Sequence, residues 1–275
     1  MRITTNGVSL YYEVRGKKGP ALIMLHGNGE DHTIFDRAVA YLEQVFTVYL
    51  IDTRGHGQSS PVREYHYQDM VDDLSEFIRK LDLDHPSVCG FSDGAIVGLM
   101  FASQNPGRLH RLIACGANTA PDTLGGFRMA IDRMGKLEKK DPKVRLMLTE
   151  PHLTSDDLAK IDIPVTVVAG SRDCVRRSDT EFIASSIPDS ELVIMNRADH
   201  CSYVVHSTRV VDVVFRAMGV DTSDIVFVDR FRGLFGKTGG YSTIPWFRLN
   251  TILGIVDSIR WQHLAIHTNA SSRRF

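Results

Sequence analysis

The sequence predicts an α/β fold in which a doubly wound, mostly parallel sheet carries helices. Short apolar runs alternate with longer, helix-like segments along the chain, and most of these runs are apolar throughout. A continuous apolar run suits a strand that is buried on both faces, which is the condition of a parallel sheet. Regular alternation of strands and helices is the pattern of a doubly wound fold.

The predicted elements follow in simple order. The first strand, VSLYYEV at 8–14, alternates in polarity, whereas the second, ALIML at 21–25, is apolar throughout. Both patterns are typical of β-strands. Five further strands are predicted at 47–52, 87–91, 109–115, 164–169 and 191–195. The helices predicted between the strands lie at 34–44, 67–81, 94–104, 178–186 and 206–218.

Two regions depart from this alternation. Residues 118–160 are polar and helix-prone and lie between two strands, so we interpret them as a short helical lid inserted into a domain at 1–218. Residues 219–275 form an atypical C-terminal extension of unknown role. The extension contains Trp246 and apolar residues at helical spacing. An amphipathic appendage, a homodimer contact and a segment unrelated to the domain all remain open.

Composition narrows the class of protein. The 275 residues carry a formal net charge of −1, which does not indicate a nucleic-acid-binding face. No apolar stretch at the start resembles a signal peptide, and no run is long enough to span a membrane. The four cysteines are far apart and form no CxxC pair, so neither structural zinc nor a disulfide framework is favoured. We therefore expect a cytoplasmic protein without a metal or cofactor.

The stretch Gly90-Phe91-Ser92-Asp93-Gly94 matches the pattern G-x-S-x-G between a predicted strand and a predicted helix. In that context the pattern predicts a nucleophile elbow, a sharp turn that exposes a serine hydroxyl. Glycine suits both flanks because a sharp turn leaves no room for side chains. The helix N-terminus behind Ser92 offers free N–H groups to a developing oxyanion. The alternative is a glycine-rich turn with an N-capping serine.

A nucleophilic serine needs a base, and the base needs an orienting acid. In this type of fold the expected chain order is serine, acid, histidine. Asp173 follows the strand at 164–169, and His200 follows the last strand, so both lie in loops at the carboxyl ends of strands. Asp179 and Asp199 are rival carboxylates, although Asp199 is poorly placed because it directly precedes His200.

The segment LHGNGED at 25–31 is a glycine-rich loop after the second strand. Such a loop can aim a backbone N–H at the oxyanion, together with the N–H of the residue that follows the serine. We therefore predict the backbone N–H groups of Asn28 and Asp93 as the two donors. A plain strand-ending turn is the alternative.

Taken together, these motifs resemble the α/β-hydrolase superfamily, in the branch of small serine esterases, haloperoxidase-like enzymes and carbon–carbon bond hydrolases. The resemblance rests on His26-Gly27, on the turn DTRGHGQS at 52–59, on the Ser92 elbow and on the two later loops. It implies that Ser92 attacks the substrate, that His200 acts as general base and then acid, and that Asp173 orients the imidazole. Many relatives carry methionine or glutamine where this chain has Asp93, and most have no counterpart of the extension.

The leading interpretation is a cofactor-free serine hydrolase that cleaves a small ester through an acyl-enzyme on Ser92. A carbon–carbon bond hydrolase or a perhydrolase with the same triad, and a non-catalytic hydrolase-fold binding protein, are the alternatives. Apolar residues of the lid region are candidates to line the substrate pocket, with ordinary packing as their alternative: Phe127, Met129, Met134 and Met147.

Asp93 is a further substrate-binding candidate. The elbow is similar to the Gly-Trp-Ser-Asp-Gly-Gly elbow of valacyclovirase-like enzymes, in which the aspartate holds the ammonium group of an α-amino acid ester. Phe91 and Ala95 depart from that pattern. The alternative role of the Asp93 carboxylate is to stabilise the N-terminus of the helix that it opens.

Overall fold

A computed structural model describes residues 1–17, 19–125, 141–223 and 225. Eight strands form one sheet in the order β1-β2-β4-β3-β5-β6-β7-β8. The strands are β1 (Arg2–Thr5), β2 (Val8–Arg15), β3 (Ala21–Leu25), β4 (Thr47–Ile51), β5 (Ser87–Phe91), β6 (Leu112–Cys115), β7 (Val165–Gly170) and β8 (Ser190–Met195). From β4 to β8 every neighbouring pair in this order is parallel, so the predicted mostly parallel sheet is confirmed.

Seven α-helices connect or flank these strands within the described residues. They are α1 (Asp36–Leu42), α2 (Tyr67–Lys80), α3 (Asp93–Gln104), α4 (Pro142–Thr149), α5 (Ser155–Leu158), α6 (Arg177–Ser186) and α7 (Arg209–Ala217). A 3-10 turn at His32–Phe35 leads into α1, and another lies at Pro121–Thr123. No helix of the described part is both long and apolar enough to cross a membrane.

The helices cover both faces of the sheet. Successive residues of β3 alternate between two apolar cores: Ile23 and Leu25 pack with α2, α3 and α6, whereas Leu22 and Met24 pack with α1 and α7. Because side chains of a strand point to opposite faces in turn, a strand that feeds two cores must be apolar at every position. This explains the continuous ALIML run.

The first strand, β1, is missing from the sequence-based prediction. It forms an antiparallel hairpin with β2 around Asn6 and Gly7, whose φ angles are both positive, at 40° and 80°. Asn-Gly is the most characteristic pair for such a two-residue turn. The signal was therefore present in the sequence.

Other differences from the predicted elements concern boundaries. The strand predicted from 109 begins at Leu112, and the helix predicted from 206 begins at Arg209. The residue His206 has a φ of 47°, which a regular helix cannot contain. The described part of the predicted lid contains α4 and α5, between β6 and β7. The extension after residue 225 lies outside the described residues.

A buried ion pair fixes the turn that follows β4. The Arg54 guanidinium donates from two nitrogens to the Asp73 carboxylate on α2, at 2.6 Å and 2.8 Å. The same carboxylate accepts bonds from Thr5 and Asn6 in the first hairpin, at 3.0 Å and 3.3 Å. Asp73 therefore joins three parts of the fold that are remote in sequence.

Replacing Asp73 with alanine should lower the free energy of unfolding by about 2–3 kcal/mol, because the buried Arg54 guanidinium would lose its bidentate partner and keep only the Asp69 carboxylate, at 2.9 Å. The matched control is Asp72→Ala, which removes an exposed carboxylate one residue earlier on the same helix. Urea unfolding followed by circular dichroism measures both variants. Equal stability of the two variants would show that the buried pair contributes nothing beyond a surface charge.

Candidate active site

The nucleophile elbow predicted at Ser92 has the expected backbone. Ser92 joins the end of β5 to the start of α3 with φ 51° and ψ −115°, a conformation that non-glycine residues rarely adopt. A side chain at Gly90 would place its Cβ 2.2 Å from the carbonyl oxygen of Gly94. A side chain at Gly94 would place its Cβ 2.3 Å from the carbonyl oxygen of Leu25. Both glycines are therefore required by close backbone approach.

The structure brings Ser92, His200 and Asp173 into one line of contacts. The Ser92 Oγ atom lies 3.1 Å from Nε2 of His200, and Nδ1 of His200 lies 2.7 Å from Oδ1 of Asp173. Asp173 is itself held by the backbone N–H groups of Gly170 and Val175, at 3.0 Å and 3.1 Å. The three residues lie in loops after β5, β7 and β8, so the carboxyl ends of these parallel strands supply them, with β6 between β5 and β7.

The surroundings of Asp173 and His200 shift the pKa values of both residues. Burial opposes the charge on Asp173, but the His200 ring and the backbone donors outweigh it and lower the pKa of the Asp173 carboxyl. Burial by itself would lower the pKa of His200, whereas the neighbouring Cys174 and Asp173 raise that pKa well above its usual value. A charged carboxylate beside Nδ1 favours the imidazolium form. The arrangement can therefore accept a proton at Nε2.

The rival carboxylates have other partners. Asp179 accepts bonds from the backbone N–H and the hydroxyl of Thr119, at 2.9 Å and 2.5 Å. Asp199 accepts bonds from the backbone N–H groups of Cys201 and Ser202, at 3.1 Å and 2.9 Å. Asp173 is the carboxylate that the structure places against Nδ1 of His200, at 2.7 Å.

The loop after β3 is fixed from several sides. Its residue His26 is buried and accepts at Nε2 from the Thr53 backbone N–H at 3.0 Å, which leaves Nδ1 to donate to the Gly27 carbonyl at 2.7 Å. The His26 carbonyl accepts from the Gly94 backbone N–H at 3.1 Å. The Glu30 carboxylate accepts from the Gly27 backbone N–H at 3.0 Å. The loop is thereby tied to the first turn of α3.

The two predicted oxyanion donors lie on these connected segments. Within the described residues, the backbone N–H of Asn28 and that of Asp93 have no acceptor. Asp93 opens α3, where a free N–H is expected because the first helical N–H groups lack intrahelical partners. Both N–H groups are thus available to a bound oxyanion.

The Asp93 side chain is buried in a small polar network. One carboxylate oxygen accepts from Nδ2 of Asn28 at 2.9 Å, and the other accepts from the hydroxyl of Tyr67 at 2.8 Å. Burial raises the pKa of Asp93 to about 6, although both hydrogen bonds oppose that shift. Asp93 therefore carries a substantial negative charge at neutral pH next to Ser92.

Part of the lid closes over this network. Asn28 also donates to the backbone carbonyl of Lys143 on α4 at 3.3 Å, and the Lys143 ammonium lies 5.7 Å from the centre of the Tyr65 ring. Burial lowers the pKa of Lys143. At the end of α4, Glu150 accepts from the backbone N–H of Tyr67 at 3.0 Å.

Only one of the four predicted pocket-lining residues lies in the part of the chain that the structure describes. Met147 lies on α4 and is half-buried. Phe127, Met129 and Met134 lie outside the described residues. Their role therefore stays a prediction.

Three side chains near the site escaped the sequence analysis: Glu30, Tyr67 and Lys143. Glu30 lies two residues after a predicted donor, and burial raises its pKa to about 7. A carboxylate inside a glycine-rich loop was a usable signal for it. Tyr67 and Lys143 reach Asp93 and Asn28 from remote parts of the chain, and no local pattern marks them.

Comparison with known proteins agrees with this fold. A sequence model described as the alpha/beta hydrolase fold matches residues 20–144. The chain belongs to the α/β-hydrolase family. The human serine hydrolase BPHL is 31% identical to it over 230 residues, which cover 72% of this chain and 79% of that protein.

Other relatives have named reactions. The 3-oxoadipate enol-lactonase 2 of Acinetobacter baylyi is 27% identical over 245 residues, covering 74% of this chain and 90% of that enzyme. The crystal structure of the enol-lactonase from Burkholderia xenovorans superposes with a TM-score of 0.68 at 18% identity, covering 80% of this chain and 100% of the enzyme. The structural likeness shows the shared fold, and the relatives together support a hydrolase.

Replacing Gly94 with alanine should lower the free energy of unfolding by about 1–3 kcal/mol, because the new Cβ would meet rigid backbone of β3. The control is Gly98→Ala, one turn later on α3, where the Cβ would meet a Leu112 methyl group at 2.6 Å. That methyl group can rotate away, and alanine gains up to about 1 kcal/mol of helix propensity.

Urea unfolding of both glycine variants measures this difference. A Gly94→Ala protein that is as stable as Gly98→Ala would contradict the close approach of β3 and α3.

Proposed function

We propose that the protein is a serine hydrolase that cleaves a small carboxylic ester through an acyl-enzyme on Ser92. One observation carries the proposal: the unbroken line from Ser92 Oγ through His200 to Asp173, at 3.1 Å and 2.7 Å. Its relatives support the same reaction class, since BPHL is named a serine hydrolase and a lactone is a cyclic ester.

In the proposed mechanism, the Ser92 oxygen attacks the ester carbonyl while His200 Nε2 takes the hydroxyl proton. The backbone N–H groups of Asn28 and Asp93 stabilise the oxyanion. His200 then gives the proton to the departing alcohol, which leaves the acyl group on Ser92. Water attacks that acyl group with His200 again as the base, and the acid departs.

Asp173 acts through His200 in this scheme. Its carboxylate fixes the tautomer in which Nδ1 carries a proton and Nε2 has a free lone pair, and it stabilises the imidazolium that forms during each step. A carbon–carbon bond hydrolase and a perhydrolase would use the same groups. A non-catalytic binding protein would not need the line of contacts.

Ser92→Ala should abolish both ester turnover and labelling by a fluorophosphonate, because the attacking oxygen is gone. His200→Ala should cost nearly as much, and Asp173→Asn should lower kcat by roughly 10⁴-fold through the wrong histidine tautomer. The measurement uses purified protein and a panel of esters of graded acyl length.

The control for this prediction is Ser171→Ala, which removes an exposed hydroxyl near Asp173 and should leave labelling intact. The double variant Ser92→Ala/His200→Ala should lose no more than Ser92→Ala alone, because the residues act as a unit. Full labelling of Ser92→Ala would overturn the mechanism. Wild-type protein that neither labels nor cleaves any ester would favour the binding protein.

A cationic group on the substrate is a second element of the proposal. The Asp93 carboxylate lies next to the nucleophile in a buried setting, where a charge is costly unless it is paired. The Oδ1 atom of Asn28 is also buried and has no hydrogen-bond partner among the described residues. Buried acceptors on two hydrogen-bonded side chains suit an ammonium group, which donates three hydrogen bonds. The resemblance to valacyclovirase-like elbows points the same way.

The wild type should therefore hydrolyse an α-amino acid ester faster than the deaminated analogue of that ester, and Asp93→Asn should lose this preference. The neutral ester serves as the internal control, because it tests whether Asp93→Asn retains the elbow. Equal kcat/KM values for the two esters in the wild type would leave Asp93 as a residue that stabilises the helix N-terminus.

A further inference from the structure

A cysteine that the proposed mechanism does not use lies against the triad. Donor atoms of Asp173, Cys174 and His200 all lie within 4.8 Å of one another. Cys174 is half-buried, so small solutes can reach it. It also directly follows the aspartate in sequence, in the loop after β7. The three side chains offer one sulfur, one nitrogen and one oxygen donor.

This donor set has the chemistry of a zinc site. Zn²⁺ binds cysteine sulfur at about 2.3 Å and histidine nitrogen or carboxylate oxygen at about 2.0–2.2 Å, in tetrahedral geometry. Those bond lengths put tetrahedral donors roughly 3.3–3.8 Å apart. Donors already within 4.8 Å of one another therefore need only small side-chain adjustments. Water can fill the fourth position.

We propose that Asp173, Cys174 and His200 form a binding site for Zn²⁺, and that the bound ion switches the hydrolase off. The site itself is independent of any reaction, whereas its inhibitory effect rests on the proposed serine hydrolase function. Hard ions such as Mg²⁺ and Ca²⁺ should not compete, because they prefer sets of oxygen ligands.

Inhibition follows from the contacts that His200 makes. Both ring nitrogens are in use, Nε2 towards Ser92 and Nδ1 towards Asp173. A zinc ion on Nε2 would occupy the lone pair that accepts the serine proton. A zinc ion on Nδ1 would bind the tautomer in which the ring proton has moved to Nε2, and a protonated Nε2 cannot act as a base. Either mode stops the first step.

The test measures zinc affinity directly, by competition with a chromophoric chelator, in the full-length wild type, Cys174→Ser and Cys201→Ser. Cys201 is the matched control because it flanks His200 in sequence but is not among the three clustered residues. Cys174→Ser should weaken zinc binding by about tenfold or more. Cys201→Ser should leave it unchanged.

A second measurement covers the case in which Cys174→Ser folds poorly. Co²⁺ bound to the wild type should show the sulfur-to-cobalt charge-transfer absorption of a thiolate ligand, and zinc should abolish it. Alkylation of the folded wild type at Cys174 should remove that absorption as well. Cobalt binding without a thiolate band, or equal zinc affinity in wild type and Cys174→Ser, would overturn the site.

The activity measurement separates the two proposals. Zinc should inhibit ester hydrolysis, EDTA should restore it, and Cys174→Ser should need about tenfold more zinc for the same inhibition. Absence of ester hydrolysis in the wild type, with Cys174-dependent zinc binding retained, would reject the hydrolase function and keep the site. Active protein that binds zinc through Cys174 without inhibition would overturn the switch.

Discussion

The turn at Ser92 is the constraint on which the other parts of the site depend. Gly90 has no room for a Cβ because α3 lies against it, and Gly94 has none because β3 does. This close approach of β5, α3 and β3 holds the unusual backbone of the turn in place. The same approach lets the Gly94 backbone N–H bond to the His26 carbonyl at 3.1 Å. The serine, the N–H of the residue after it and the loop that carries Asn28 are therefore positioned by one piece of backbone packing. The cost of the turn, roughly 1–3 kcal/mol, is offset by that packing.

Several ionisable groups of the site are buried. Burial pushes the carboxyls of Glu30 and Asp93 towards neutrality, with pKa values of about 7 and 6, whereas backbone donors and the imidazole keep Asp173 charged. The His200 ring is the main group that lowers the pKa of Asp173, and the backbone N–H groups of Gly170 and Val175 add to it. Asp93 is bound instead by the side chains of Asn28 and Tyr67. Of these carboxyls, Asp173 is therefore the one whose surroundings favour the charged form most.

Much of the fold and of the triad could be predicted because the responsible signals are local. Continuous apolar runs marked the parallel strands, and two glycines around Ser92 marked the elbow. Asp173 and His200 follow from their positions after strands. Strand β1 was missed although Asn6-Gly7 signals its turn, because the strand before that turn has only four residues.

The hydrogen-bond network around Asp93 could not be predicted from the sequence. Tyr67 and Lys143 reach it through tertiary packing that no spacing encodes.

Tyr67 gives the lid and the elbow a shared mechanical link. Its backbone N–H donates to Glu150 at the end of α4, while its hydroxyl donates to Asp93, the residue that follows Ser92. A force that pulls the end of α4 away from α2 therefore acts first on the residue that anchors Asp93. The link also works in the opposite direction. A ligand that replaces Tyr67 as the hydrogen-bond donor to Asp93 would free the Tyr67 side chain, whose own backbone N–H is bound to Glu150 beside α4. Movement of α4 and rearrangement at Asp93 are therefore geometrically coupled through Tyr67.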